Sequence, residues 1–324
     1  VKRREFITLL GGAAAWPLAV RAQQLARNRK IGFLHPGQAE NVNMRLAAIH
    51  EGLLSSSERE VNVELLVRLA DGDLMRLPAL ARDLVDSRAD AIIAAGPPAV
   101  HAASGATTEI PIVAIDLETD PVASGLIKSL ARPGRNVTGV FLDFPEFSAK
   151  CLQILKEAVS GLATVGVLWD PSTGPFQLAS VQDAARQLQL ALQVLETRSL
   201  DDLTQAFQLL DTSRVQGVLI LSSPLFGGNP QLVADLSLRR GVPSISLFPD
   251  TAKMGGLLAY GPDIQSLYRQ VAAMARRVLL GARAPEMPAE RPTRFELVAN
   301  LRTAKEFGIT LPASVLLRAD EVIE

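Results

Sequence analysis

The residues best suited to chemistry in this chain are short polar clusters that follow β-rich apolar runs. His35 precedes Pro36-Gly37, Gly96-Pro97-Pro98 follows Ala91-Ile92-Ile93-Ala94-Ala95, and Asp116 opens a run to Pro121 that contains Thr119 and Asp120. Farther on stand Asp170-Pro171-Ser172, Ser222-Ser223-Pro224-Leu225-Phe226 and Phe248-Pro249-Asp250. These types suit recognition of a small polar molecule. At Gly96-Pro97-Pro98, proline fits a first helical turn where its missing N–H costs nothing, and glycine lets a ligand approach the backbone. The helix that follows would aim free N–H groups and a positive dipole end at an anion such as a carboxylate; a plain tight turn explains the same residues. Asp120 is placed either to receive an ammonium or to cap the next helix, and Asp170 either to touch a ligand or to cap. Ser222 and Ser223 carry the same pair of readings. Aromatic residues make up only 5% of the chain. Phe226, Phe248 and Tyr260 are therefore candidate walls of an apolar pocket, with Phe141 near a strand end, and core packing is the competing fate of each.

Catalytic constellations are missing. The chain has 3 histidines, and His35, His50 and His101 have no metal-ligand spacing. No Gly-x-Ser-x-Gly elbow, phosphate-cradling Gly-Lys-Ser/Thr loop or Gly-x-Gly-x-x-Gly after a first strand is present. The expectation is a binding protein with no catalytic residue, metal or cofactor. Lys and Arg are spread along a chain of net charge -1, with no basic cluster among aromatics, so nucleic acid is not an expected partner. The single cysteine, Cys151, excludes an internal disulfide. It shares an apolar stripe with Phe147, Ile154, Leu155 and Ala158 and reads as a buried thiol.

Positioning those clusters falls to an alternation of strands and amphipathic helices, the pattern of βα units and a parallel sheet. Lys30 to His35, Val61 to Val67, Ala91 to Ala95, Pro111 to Ile115 and Val137 to Phe141 read as strands. The plan then restarts. Ile31-Gly32-Phe33-Leu34-His35-Pro36 parallels Val165-Gly166-Val167-Leu168-Trp169-Asp170-Pro171 with one extra residue in the second copy. Ala91 to Pro98 parallels Gly217 to Pro224, and Ile110 to Asp116 parallels Val242 to Phe248. A shared order and an offset of about 130 residues argue for two doubly wound lobes with one strand order. In such sheets ligands collect beyond the carboxyl ends of the strands, where the clusters above all lie.

The tail is not a third copy. Gly255 to Tyr260 reads as a strand, and Asp263 caps a helix with the stripe Ile264, Leu267, Val271, Met274 and Val278 that ends at Gly281. Pro285, Pro288 and Pro292 mark an extended connector. The expected division is 29–141 plus 256–288 for the first lobe and 142–255 plus 289–324 for the second, with a hinge of several strands. Two rims facing each other across it would form a cleft.

Residues 1–22 read as an export signal. Lys2-Arg3-Arg4-Glu5-Phe6-Ile7 precedes an uncharged stretch, and Val20-Arg21-Ala22 offers small residues for cleavage after Ala22. The stretch from Thr8 to Val20 falls short of the roughly 20 residues that cross a bilayer. No cysteine stands near the cut for a lipid anchor, so the expected location is the periplasm.

The leader Lys2 to Gly12, Asp120-Pro121-Val122, Arg132-Pro133-Gly134 with Asn136 to Val140, and Pro292 to Val298 with Asn300-Leu301 resemble the ABC-transporter substrate-binding family related to tryptophan/tyrosine-binding lipoproteins. The resemblance runs almost from end to end. It implies a type I periplasmic-binding-protein fold: an α/β architecture of two flavodoxin-like lobes joined by crossovers, closing on a small ligand. It also implies partners, an ABC permease with its ATPase subunits, and the chain itself is expected to be a monomer. In the aromatic amino-acid members the matching loops hold the ligand's carboxylate and ammonium, which points to Gly96, Pro97, Pro98, Thr119, Asp120, Asp170, Ser222 and Ser223. This chain departs from its relatives at Pro97, where many carry threonine, and at Ser222 to Phe226, where others carry an acid or amide. Other classes consistent with the pattern are a sensory module for a membrane kinase and an exported enzyme. A repressor core is disfavoured by the leader and by the lack of a helix-turn-helix ahead of Lys30.

Overall fold

The computed structural model describes residues 28–39, 42–54, 62–142, 145–211 and 214–324. The export-signal expectation for 1–22 lies outside the described residues. Among the described residues no helix is long and apolar enough to cross a membrane.

Five strands, β1 (Arg29–His35), β2 (Val63–Leu69), β3 (Ala91–Ala95), β4 (Ile112–Asp116) and β5 (Val137–Phe141), form a sheet in the order β2-β1-β3-β4-β5. All its neighbours pair in parallel. The second sheet takes β6 (Thr164–Trp169), β7 (Ala191–Glu196), β8 (Gly217–Ile220), β9 (Ser244–Ser246), β10 (Leu258–Pro262), β11 (Phe295–Asn300) and β12 (Glu321–Ile323), in the order β12-β11-β10-β9-β8-β6-β7. Its first five strands in chain order repeat the pattern of the first sheet, and β11 adds itself antiparallel to β10. The repeat seen in the sequence is therefore a repeat of topology. Each internal strand is buried on both faces, as β3 and β4 are throughout, which is why these runs are continuously apolar instead of alternating.

The lobes exchange helices. The helix Pro145–Ala158 follows β5 of the first sheet but packs on β8, β9 and β10 of the second, whereas Ile264–Leu279 follows β10 yet packs on β3, β4 and β5 and on the helix Asn43–Leu54. Ile264–Leu279 is a helix for local reasons. The Asp263 carboxylate accepts from the Ser266 N–H, the stripe Leu267, Val271, Met274, Ala275 and Val278 is buried, and Gly281 takes up φ 104° just past its end. Burying each large apolar side chain of that stripe contributes about 1.5–3 kcal/mol.

This exchange corrects the expected division of the chain. The sequence pattern places 256–288 in the first lobe, yet β10 is bonded to β9 and β11, so 256–262 belong with the second sheet. Glu290, in turn, bridges to Val140 of β5 and so lies with the first. A strand's hydropathy marks it as buried without recording which sheet edge it joins. The chain passes between the lobes after β5, at Asp263, and between Glu290 and Phe295. The last two passages are tied together by a hydrogen bond from the Asp263 N–H to the Arg294 carbonyl, 3.0 Å long.

On the second-lobe side of these passages one aromatic ring comes from each: Phe147, Tyr260 and Phe295. Phe147 stacks on Tyr260 with centroids 4.9 Å apart and planes 12° apart, and lies 5.3 Å from Phe295. Three chain segments remote in sequence are thus pinned at one point, which makes the pivot a packed joint on that side.

Candidate functional site

The carboxyl ends of the two sheets face each other and touch. From the first lobe come His35 after β1, Gly96 after β3, and Asp116 with the loop to Asp120 after β4. From the second come Asp170 after β6, Ser222 and Ser223 after β8, and Phe248 after β9. Glu118 Oε1 lies 2.6 Å from Ser222 Oγ. The Arg45 guanidinium, on the helix Asn43–Leu54, donates to the Gly227 carbonyl at 2.8 Å. At Gly96, with φ 82°, an added Cβ would stand 2.5 Å from Pro224 Cγ; only glycine allows this backbone shape and this approach.

Pro224 divides the closed cleft. On the side nearer the hinge lies an inner cavity of about 40 Å³, lined by His35, Arg45, Gly96, Leu117, Glu118, Phe248, Leu267 and Tyr268 among others. On the far side a cavity of about 70 Å³ is lined by Pro36, Gly37, Pro98, Asp170, Ser172 and Arg198 among others. Arg45, Gly227 and Ile264 also border a wide outer groove of about 770 Å³.

Burial dominates the electrostatics. Glu118 is pushed up to about 8, first by burial and then by the neighbouring charges of Asp116 and Asp170. Asp116 is raised by the same burial. His35 is driven down to about 3 by burial and by the Arg45 charge. Its Nδ1 accepts from the Gly37 N–H at 2.8 Å, so the neutral ring carries its proton on Nε2. Tyr268 is raised, again chiefly by burial, and hydrogen-bonds Arg45.

Much of the polarity serves the loops themselves. Asp116 accepts from the Glu118 and Thr119 N–H groups and from the Thr119 hydroxyl. Asp120 accepts from the N–H groups of Val122 and Ala123 and so closes the turn 121–125; the helix expected after it does not form, so it is not a helix cap. Asp170 accepts from the Ser172 N–H at 2.9 Å and from the Ser223 hydroxyl at 2.5 Å. Gln177 clamps Ser222 through both its backbone groups, accepting from the N–H at 2.8 Å and donating to the carbonyl at 2.9 Å.

His35, Gly96, Pro98, Asp170, Ser172 and Phe248 line the cavities, while Ser222 and Ser223 brace them. Pro97 starts the helix Pro97–Ala106. Three aromatic candidates are placed elsewhere. Phe141 packs with Leu34, Ile92 and Val137 in the first lobe's core, and Phe226 with Leu168, Phe207 and Val233 in the second. Tyr260 belongs to the hinge joint. Strand-end position alone cannot tell which face of the sheet a ring such as Phe141 takes, and Phe226 sits on the short helix Pro224–Gly227, whose packing turns it into the second lobe's core. The sequence pattern does not single out Arg45, Glu118, Tyr268 or Gln177. Glu118 was findable, because it sits within the rim loop Asp116 to Pro121; Arg45, Tyr268 and Gln177 lie on helices whose facing was not legible.

The family model described as ABC transporter substrate binding protein matches residues 35–323. A tyrosine-binding protein of Clostridioides difficile (strain R20291) is 25% identical over 246 residues, covering 75% of this chain and 70% of that one. An ABC domain in complex with L-Trp from Streptococcus pneumonia has a TM-score of 0.82 at 23% identity, over 92% of this chain and 100% of that one. The ligand-free, open structure of a substrate binding protein with adhesive properties from Clostridium difficile gives 0.62 at 22% identity, over 91% and 99%.

Proposed function

We propose that this chain, which belongs to the ABC transporter substrate binding protein family, takes a small polar or amphipathic solute into the cleft between its lobes and hands it to a membrane permease powered by ATPase subunits. Its fold is that of the type I periplasmic binding proteins, and members of the family are typically exported. Following the leader read at 1–22, the mature protein is a periplasmic monomer, cleaved after Ala22. It carries out no reaction on its solute.

The observation that carries this reading is the contact between the two rims, made by Glu118 with Ser222 and by Arg45 with Gly227. Each joins the lobes directly, so the cleft has a closed form in which a solute would touch both. The lobes that move are 29–141 with 264–290 and 145–262 with 291–324, turning about the three passages. His35, Gly96, Pro98, Asp170, Ser172, Ser222, Ser223 and Phe248 form the site together with Arg45, Glu118 and Tyr268.

Native mass spectrometry of protein purified without unfolding should detect a retained solute, and X-ray scattering should show the radius of gyration falling when that solute is returned to stripped protein. An unchanged radius at saturation refutes hinge closure.

A further inference from the structure

We infer that Pro224 sets the size of the solute over which the cleft can close, and that in this chain the limit falls near the bulk of alanine. This rests on the reading of the cleft as the solute site and adds a specificity-determining residue to it.

Among the described residues Pro224 alone borders both cavities of the closed cleft, the inner one of about 40 Å³ and the far one of about 70 Å³. Its ring stands against Gly96, where an added Cβ would come within 2.5 Å of Pro224 Cγ and 3.6 Å of Cδ. The ring and the Gly96 backbone thus form a partition between the two spaces.

Both sides of this partition are held. The proline ring fixes φ of its own residue. Before it, Gln177 grips the Ser222 backbone through N–H and carbonyl, and the Ser223 hydroxyl donates to Asp170 at 2.5 Å while accepting from the Leu225 N–H at 3.0 Å. After it, Phe226 is buried in the second lobe's core, and a Cβ on Gly227 would stand 2.6 Å from Phe248 Cζ. The short helix Pro224–Gly227 therefore has no room to retreat from the cleft. Across from it, the Gly96 N–H donates to the Ile115 carbonyl at 2.7 Å and the Gly96 carbonyl accepts from the Val100 N–H at 3.0 Å. A wall braced in this way transmits the bulk of a solute to the lobes instead of yielding to it.

The consequence is a limit on size. A water takes up about 10–15 Å³ of such a cavity, so the inner space of about 40 Å³ holds about three, on the scale of glycine or alanine. A larger solute would hold Pro224 off Gly96 and would also part the Glu118–Ser222 latch, which forms beside Pro224 at 2.6 Å. It would then sit in a cleft that stays partly open and would gain less from contact with both rims. Truncating the proline would join the two cavities and make room for a longer body.

The test is a calorimetric titration of stripped protein at pH 7 with glycine, alanine, leucine and tyrosine, paired with X-ray scattering. This series keeps one zwitterionic head, suited to a lining that holds both the Arg45 guanidinium and the Glu118 carboxyl, and grows only in its side chain. Wild type should bind alanine with full compaction, and leucine and tyrosine at least tenfold more weakly with a larger radius of gyration. Pro224→Ala removes the ring carbons that meet Gly96 and should bind leucine at least tenfold more tightly than wild type does, with compaction. Pro224→Val restores bulk at the same place and should return the limit toward that of wild type; a thermal melt of each variant verifies folding. Wild type compacting as fully on leucine or tyrosine as on alanine would overturn the inference. So would a Pro224→Ala variant that keeps the wild-type affinities, a Pro224→Val variant as permissive as Pro224→Ala, or a series that compacts none of the proteins. Each of these outcomes leaves the binding-protein reading intact. That reading fails separately, when the solute recovered with the native protein produces no compaction.

Discussion

Glu118 and Ser222, 104 positions apart, meet at 2.6 Å between the carboxyl ends of β4 and β8 and so latch one lobe to the other. The carboxyl group is buried in the closed form, which prefers it protonated. Opening the cleft would return it to water and to an ordinary acidity.

That difference makes stability depend on pH with a defined sign. Glu118 has a value of about 8 here against an ordinary 4.5, so its contribution is fully present below 4.5 and is lost as pH rises through 8. Asp116, raised by the same burial, acts in the same direction. His35, at about 3 against 6.5, contributes fully above 6.5 and loses that contribution as pH falls through 3. The two slopes oppose each other between 4.5 and 6.5. Thermal melts should therefore show a plateau there, a decline above it and another below. Glu118→Gln should flatten the alkaline limb and spare the acidic one; an alkaline limb identical to wild type would rule out this assignment.

Gly96→Ala tests the approach of the lobes. The residue has φ 82°, and its new Cβ would stand 2.5 Å from Pro224 Cγ. Backbone strain should cost about 1–3 kcal/mol, measurable by urea unfolding. Scattering should show a protein that stays expanded with its solute. Adding Pro224→Ala should restore compaction without removing the strain, and a single variant that compacts normally would refute the clash.

Phe147→Ala removes one ring of the hinge joint. Phe147 is only 8% exposed and contacts both Tyr260 and Phe295. A loss of about 3 kcal/mol is expected on urea unfolding, with circular dichroism unchanged. A loss below 1 kcal/mol would show that the rings merely lie together.

Asp120→Ala separates a turn brace from a ligand contact. Its Oδ1 accepts from Val122 and Ala123 at 2.9 Å each. Losing these turn hydrogen bonds should cost about 1 kcal/mol and leave solute affinity unchanged. A tenfold fall in affinity at unchanged stability would instead place Asp120 against the solute.

The legible part of this protein is what burial imposes on single segments. Runs such as Ala91 to Ala95 and Gly217 to Ile220 are apolar because both their faces are covered, and their repetition in order revealed paired lobes. Asp263 and Gly281 bound their helix by local backbone needs, so they too could be read directly. Cys151 fell on a buried stripe and is buried, its thiol pushed up to about 12 by that burial.

What stayed hidden depends on which segments meet. β10 carries the same kind of pattern whether it joins the first sheet or the second, and only pairing with β9 settles it. Phe141 and Phe226 stand near rim loops in sequence yet point into cores, because a ring's side of the sheet follows from register and packing. The site's charge balance is hidden more deeply still.

The amino-acid sequence alone determined a duplicated, parallel α/β plan and the loops where a solute would sit, because strand burial and helix capping act over a few neighbouring residues. Tertiary structure decided the exchange of helices between lobes, the latch of Glu118 on Ser222 and the entry of Arg45 into the cleft. Those relations bring together groups from segments far apart in the chain, and a burial-driven shift such as that of Glu118 exists only once the opposite lobe has displaced the water around it.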